Sequence, residues 1–431
     1  MGGPTEWRVI SASLGLALFA AVLMAVPAMA QRPASWDACM NQGNSAAAAD
    51  AAIAACTSVI EAFSRGQINR ADAAAAHLRR GSAHAAKGAL GAATADYDQA
   101  IAHYDRIVES EPGNREAILG RGSAAFLKQD YDAAIASFDR AARLDPTSAV
   151  VFLNRASTLA AKGEVERAVA DYDRAIALAP NDAEAYLGRG TLAYARQDYG
   201  RAAADYDRAI ALDPRNAEAL LGRGNVSFAQ RDYDRAIADY GRAIALDPNT
   251  PAPFVGRARS YYRKLDYDRA IASYGDAIRL DPDNAEALSE RGDAYEQKGE
   301  YDRAIADYSR IIVLQPTNAK AWNNRCWDRA VSGALETALA DCNESLRLAP
   351  GDPNTMDSRG VAYLKLGQFD KAIGDFDAAL AVAPRQAGSL FGRGIAKLRT
   401  GDREGGRADM AAAAAIQADI AEEYGHYGVR Q

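Results

Sequence analysis

The chain has 431 residues, with 50 Lys and Arg against 57 Asp and Glu, a formal charge of −7. A quarter of the residues are charged and 49% are apolar, which excludes an unstructured polymer. The mild acidity argues against non-specific nucleic-acid binding, so no nucleic-acid partner is expected. In chain order, the first feature is N-terminal. Arg8 precedes an uncharged run from Val9 to Ala30, apolar from Leu14 to Val26, with Pro27 and the small-x-small site Ala28-Met29-Ala30 at its end. A positive charge, an apolar run and small residues form the layout of a secretory signal peptide. Residues 1–30 are therefore expected to be removed after Ala30. That makes the mature chain periplasmic or secreted, with no membrane insertion after cleavage. The other reading is a retained anchor, because 22 uncharged residues can span a bilayer.

The body of the chain is periodic. Prolines stand at 112, 146, 180, 214, 248, 282, 316, 350 and 384, each 34 residues after the last. With this proline as position 32, position 8 is small in Gly122, Ala156, Gly190, Gly224, Ala258, Gly292, Gly360 and Gly394. Position 20 is alanine, as in Ala134, Ala168 and Ala202, and position 24 is aromatic, as in Phe138, Tyr172, Tyr206 and Tyr240. Spacings of three and four put positions 4, 8 and 11 on one helix face and 20, 24 and 27 on another. A small residue at 8 lets the second helix approach, and the aromatic at 24 fills the space beside it. Proline at 32 stops the second helix. Such a pair cannot bury its apolar faces alone, so it must stack on its neighbours.

These residues resemble the tetratricopeptide repeat (TPR) family. The resemblance implies an all-α, right-handed α-α superhelix, a solenoid of about eleven helix hairpins. One departure is the arginine at position 7, from Arg121 to Arg393, where the family often has leucine. Position 23 is mostly aspartate, as in Asp171, Asp205 and Asp307. The two columns read either as an Arg–Asp ladder that keeps hairpins in register or as an anion-binding stripe.

The ends depart from the regular pattern. Residues 31–72 read as a divergent first hairpin, with Ala52, Cys56 and Ile60 on its second helix. Residues 73–114 read as a unit with an extended second helix: seven residues are inserted between Tyr97 and Pro112, which adds two turns and keeps Tyr97 and Tyr104 on one side. Eight regular units fill 115–386, a divergent last unit fills 387–420, and 421–431, with Gly425 and Gly428, reads as a flexible tail.

Cys326 and Cys342 occupy positions 8 and 24 of one unit, which face each other across a hairpin. Cys39 and Cys56 are 17 apart and replace the same contact in the first hairpin. An even count in an exported chain predicts two disulfides. Four buried free thiols are the alternative. No C-x-x-C occurs and no histidine lies near either pair, so zinc is not expected.

No catalytic signature is present. His77 and His84 share a helix face but lack the i, i+4 spacing and a third ligand for a metal. Triplets such as Gly188-Arg189-Gly190 mimic a dinucleotide fingerprint, but no strand precedes them. They read as packing glycines. No enzymatic activity, cofactor or metal is expected.

In similar proteins, partners lie in the concave groove of the first helices. The matching positions here are Leu119, Phe126, Leu153, Leu187, Tyr194, Leu221, Asn225 and Phe228, then Arg259, Tyr262 and Arg263, and then Glu290, Asp293, Glu296 and Trp327. They read as an apolar and aromatic wall, a basic step and an acidic step, suited to a peptide with apolar anchors and positive charge. The rival reading places half of them in the core between hairpins. The expected function is a non-enzymatic protein–protein interaction scaffold. The alternative is a membrane-anchored regulatory or assembly subunit of an envelope enzyme or secretion complex.

Overall fold

A computed structural model of the chain describes residues 33–40 and 46–429. The expected signal peptide, residues 1–30, lies outside the described residues. Among the described residues there are twenty-three α-helices and no strand. The chain divides into two compact units, one ending at Gln230 and the other starting at Arg231. The first unit holds α1 (Ser35–Met40), α2 (Ala46–Ser64), α3 (Arg70–Ala86), α4 (Leu90–Ser110), α5 (Arg115–Leu127), α6 (Tyr131–Leu144), α7 (Ala149–Lys162), α8 (Val165–Leu178), α9 (Ala183–Ala195), α10 (Tyr199–Leu212) and α11 (Ala217–Ala229). The second holds α12 (Tyr233–Leu246), α13 (Pro251–Arg263), α14 (Tyr267–Leu280), α15 (Ala285–Gln297), α16 (Tyr301–Leu314), α17 (Ala319–Ser332), α18 (Leu335–Leu348), α19 (Pro353–Lys365), α20 (Phe369–Val382), α21 (Ala387–Thr400), α22 (Arg403–Ile416) and α23 (Ile420–His426). Within each unit, consecutive helices pack pairwise and each pair stacks on the next, as in a TPR solenoid.

Local chemistry sets the helix ends. Asn69, Asn114, Asn216, Asn284 and Asn318 cap first helices, their side chains accepting from a backbone N–H three residues on. Asp130, Asp198, Asp232 and Asp266 cap second helices in the same way. Between the two helices one residue adopts a left-handed conformation in hairpin after hairpin: Gln129, Gly163, Gln197, Arg231, Leu265, Gly299, Gly333, Gly367 and Gly401. Glycine takes this conformation without strain, whereas the other four are held in it by the hairpin.

The glycine and aromatic columns interlock. Tyr206 lies between Gly190 of its own hairpin, where a Cβ would stand 3.3 Å from the ring, and Gly222 of the next, where it would stand at 2.5 Å. Phe376 sits likewise between Gly360 and Gly392, at 2.7 and 2.4 Å. Each ring is buried, and burial of a side chain this size contributes about 2–3 kcal/mol. The inserted turns in α4 split this role. That helix has 21 residues against 14 in the regular second helices. Tyr97 packs on Gly81 of its own hairpin, and Tyr104 packs on Gly120 of the next.

Arginine at position 7 joins three elements. Arg189 donates twice to Asp205 across its own hairpin, at 2.9 and 2.6 Å, and once to Asp173 of the preceding hairpin, at 2.7 Å. Arg155, Arg393 and Arg359 repeat this arrangement, the last with Asn343 in place of the second aspartate. Where position 23 is serine, Arg121 and Arg257 bond Ser137 and Ser273 instead. These guanidiniums are committed to neighbouring hairpins. The columns form a ladder, not an anion-binding stripe.

Both cysteine pairs stand at bonding distance, Cys39–Cys56 at 2.04 Å and Cys326–Cys342 at 1.89 Å. The first joins α1 to α2 and the second joins α17 to α18. The reading of 421–431 as a flexible tail requires correction. Residues Ile420–His426 form α23, and Tyr424 is buried with its hydroxyl donating to the Gly388 carbonyl at 2.7 Å. Apolar burial outweighs the two glycines there.

Candidate functional site

Within each unit, first helices pack on one another across successive hairpins, α7 on α9 and α9 on α11 in the first, α17 on α19 and α19 on α21 in the second. Each unit presents its own surface of first helices.

In the first unit, aromatic pairs join the end of a first helix to the start of the second helix of the same hairpin. Phe126 meets Tyr131 with ring centroids 5.9 Å apart, and Tyr194 meets Tyr199 at 5.8 Å. Glu184 sits nearby. Burial and then the charges of Glu218, Asp182 and Asp213 raise its pKa to about 7.

The second unit has a different character. Tyr262 and Tyr267 continue the aromatic pairing at 5.4 Å. Beyond them lies a group of carboxylates. Tyr308 donates its hydroxyl toward both Asp293, at 2.8 Å, and Glu296, at 2.6 Å. One hydroxyl proton thus serves two acids. Asp328 on α17 is fully buried, and neither carboxylate oxygen has a hydrogen-bond partner. Burial, then the charges of Glu296 and Asp293, push its pKa well above the carboxylate range. Glu296 is raised in the same direction, chiefly by burial and then by Asp293, against the Tyr308 bond and the charge of Lys320. A cavity of about 200 Å³ opens beside Glu296, lined by Asn323, Trp327, Asp357 and Gln386 among others. The side-chain oxygens of Asn323 and Gln386 are buried without partners. Asp357 accepts from Ser389, yet burial raises its pKa to about 6. The unsatisfied atoms around this cavity are all acceptors.

Sequence profiles agree with this architecture. A tetratricopeptide repeat profile matches residues 92–149, 187–251 and 255–319, a TPR repeat profile matches 157–195, and another tetratricopeptide repeat profile matches 353–386. The chain is built of tetratricopeptide repeats. No curated protein sequence matches it. Among solved structures it is similar to YrrB, described as a TPR protein with an unusual peptide-binding site, at 22% identity and a TM-score of 0.40, over 44% of this chain and 97% of that one. It is similar also to pilF of Pseudomonas aeruginosa, at 20% identity and a TM-score of 0.43, over 47% of this chain and 92% of that one. A tetratricopeptide repeat protein from Parabacteroides merdae gives 18% identity and a TM-score of 0.42, over 57% and 98%. At these identities the likeness concerns the fold alone.

Several residues expected to line the groove serve the TPR packing instead. Phe126 and Leu187 are buried between repeats, out of a partner's reach. Leu119 and Leu153 are half-buried against the same cores. Leu221, Asn225, Phe228 and Tyr194 are half-buried. The expected basic and acidic steps neutralise each other in part: Arg259 donates to both oxygens of Glu290 at 2.9 Å and pairs with Glu286. Glu290 is therefore bound within the protein. Arg263 is exposed, and Tyr262 half-buried. Asp293, Glu296 and Trp327 do gather around one place. Asp328 and Gln386 join them there, although sequence reasoning did not single them out. The signal was visible in position 10 of the repeat, which reads Ala124, Thr158, Leu192, Val226, Ser260, Ala294, Asp328, Ala362 and Ala396: one charge in a buried column.

Of the other candidates, His77 contacts Asp96 at 2.9 Å, and His84 approaches it at 3.9 Å. Arg80 donates to the same carboxylate, so these histidines belong to the first rung of the Arg–Asp ladder. No group of three or more candidate metal ligands occurs among the described residues. No helix among them is long and apolar enough to cross a membrane.

Proposed function

We propose that this protein is a non-enzymatic scaffold, exported to the periplasm or secreted, that holds an extended peptide segment of a partner protein on the first-helix face of its TPR units. The observation that carries this reading is a half-exposed aromatic pair in each unit where a first helix meets its second, Tyr194 with Tyr199 in the first and Tyr262 with Tyr267 in the second. Aromatic side chains supply rigid contact area at low entropic cost, and they anchor peptides in grooves. Exposed ion pairs such as Lys264–Asp234 and Lys298–Asp268, which join the end of a first helix to the preceding second helix, hold little binding energy. Export is supported by the signal-peptide layout before Ala30 and by the pairing of all four cysteines, which suits an oxidising compartment.

A photo-crosslinking amino acid placed at Tyr262, with Val313 on a second helix as control, tests the binding face. Capture of a peptide partner at Tyr262 and not at Val313 is the expected result. Equal capture at both, or capture at Val313 alone, would remove the groove reading. Mass spectrometry of the native N-terminus tests export. A chain starting at residue 31 agrees with cleavage, whereas an intact apolar segment favours the membrane-anchored subunit.

A further inference from the structure

We propose that the cavity lined by Glu296, Asn323 and Trp327 receives one arginine or lysine side chain of the partner peptide. This rests on the groove reading above and names the chemistry of its second unit. The carboxylates of Asp293, Glu296 and Asp328 lie within electrostatic range of one another, and the Tyr308 hydroxyl donates to two of them. Buried acids in such proximity cannot all ionise unless a cation joins them. A structural role alone would not retain this arrangement, because the Asp328 carboxylate forms no hydrogen bond and fills a column that elsewhere holds small or apolar residues.

The cavity supplies the rest of the recognition. The side-chain oxygens of Asn323 and Gln386 lack donors, and Asp357 lies on the same wall. A guanidinium or ammonium brings only donors, which matches a lining of unsatisfied acceptors. The volume of about 200 Å³ is below the ~300 Å³ at which sites enclose a whole small molecule, and it suits one long side chain. Trp327 lends an aromatic wall for a cation. The disulfide Cys326–Cys342 fixes the helix that carries Asn323, Trp327 and Asp328.

The charged and titratable groups facing the acids are Tyr262, Tyr274, Tyr301, Tyr308, Lys320 and Tyr427, with Asp357 on the cavity wall. The tyrosines are all raised and stay neutral near pH 7, so the carboxylates themselves set the pH response. Their ionisation favours a cation. Binding strengthens as pH rises from about 6 to about 8.

The test uses the full chain and phage-displayed dodecapeptides. Selected peptides are then synthesised with arginine or with its neutral isostere citrulline and measured by fluorescence anisotropy. The expected result is enrichment of one fixed Arg or Lys beside apolar residues, with affinity falling at least tenfold on citrulline substitution. Glu296→Gln and Asp328→Asn, both isosteric, should each lower affinity for the arginine peptide severalfold. The citrulline penalty should shrink in both variants. Peptides enriched without Arg or Lys would overturn the cation pocket while leaving the groove reading intact. A citrulline penalty unchanged in both variants would place the cation elsewhere and overturn it too. No enriched peptide at all would sink the groove reading and this proposal with it.

Discussion

Tyr427 stands edge-on to Trp327 with ring centroids 4.9 Å apart, although 100 positions separate them in sequence. The contact turns the C-terminal segment back onto the first helices of its unit. Lys365 reinforces it by donating to the carbonyls of both Val331 and Tyr427, at 2.7 and 2.9 Å. The buried Tyr424 meets Phe391 edge-on at 5.0 Å. Tyr424→Ala should therefore cost about 3 kcal/mol and release α23, whereas Tyr427→Ala should cost about 1 kcal/mol. Amide hydrogen exchange in residues 420–429 reports the release directly. Unchanged protection in the Tyr424 variant would show that other contacts hold the segment.

Gly222 and Gly241 are both helical glycines with opposite expected responses. A Cβ at Gly222 would stand 2.5 Å from the buried ring of Tyr206, while one at Gly241 meets nothing within 4 Å. Gly222→Ala should destabilise by about 1–3 kcal/mol, and Gly241→Ala should stabilise by about 1 kcal/mol. Urea unfolding of the two variants distinguishes the packing role from helix propensity. A stabilised Gly222 variant would contradict the ring-between-glycines packing.

Leu265 holds φ at 61° and is 70% exposed. It occupies the left-handed position that Gly299 and Gly333 fill in later repeats. Leu265→Gly relieves the backbone without removing core packing, so thermal unfolding should shift upward by the equivalent of about 1 kcal/mol. A lower midpoint would mean that Leu265 contributes packing that its exposure does not suggest.

Asp341 is a heavily used carboxylate of the ladder. It accepts from Arg325 at 2.8 and 2.7 Å and from Arg329 at 2.6 Å, with its side chain only 3% exposed. Asp341→Asn leaves two guanidiniums facing a neutral amide and should cost about 2 kcal/mol. Asp234→Asn, which breaks the exposed pair with Lys264, should change stability by no more than about 0.5 kcal/mol. Equal effects in denaturant titrations would remove the distinction between ladder and surface pairs.

The raised pKa values of Asp328 and Glu296 fix a sign for stability against pH. An unfolded carboxylate loses its proton near pH ~4, while these two keep theirs to higher pH in the folded chain. Above that value the folded state binds more protons, so stability falls as pH rises toward the folded pKa values. Asp328→Asn removes one of these two groups. Its melting temperature should exceed that of the parent, by more at about pH 8 than at about pH 5. Equal gains at both would show that Asp328 titrates alike in the folded and unfolded chains.

The period of the chain made most of the scaffold legible. The interlock of glycine and aromatic, the ladder of Arg189 and Asp205 and the facing of Cys326 and Cys342 all recur at 16 residues, the span across one hairpin. A contact that repeats in register leaves a column in the sequence. The groove was less legible, because positions 2, 5, 9 and 12 of a repeat are shared between the partner face and the packing of neighbouring repeats. Nothing in the residue type separates Phe126, which is buried, from Tyr262, which is partly open.

The sequence by itself determined the hairpin, its helix lengths, its caps and its stacking, since each follows from spacings within 34 residues that neighbouring repeats reinforce. Only the tertiary structure decided what happened between unlike repeats. Arg259 neutralises Glu290 across 31 positions, the Asp328 carboxylate is left without a hydrogen-bond partner, and Tyr427 closes on Trp327. These outcomes depend on which side chains meet once the repeats are stacked. A single departure from the pattern occurs once in the chain, so no column records it, and its consequence is set by the burial and charge of neighbours that the sequence keeps far apart.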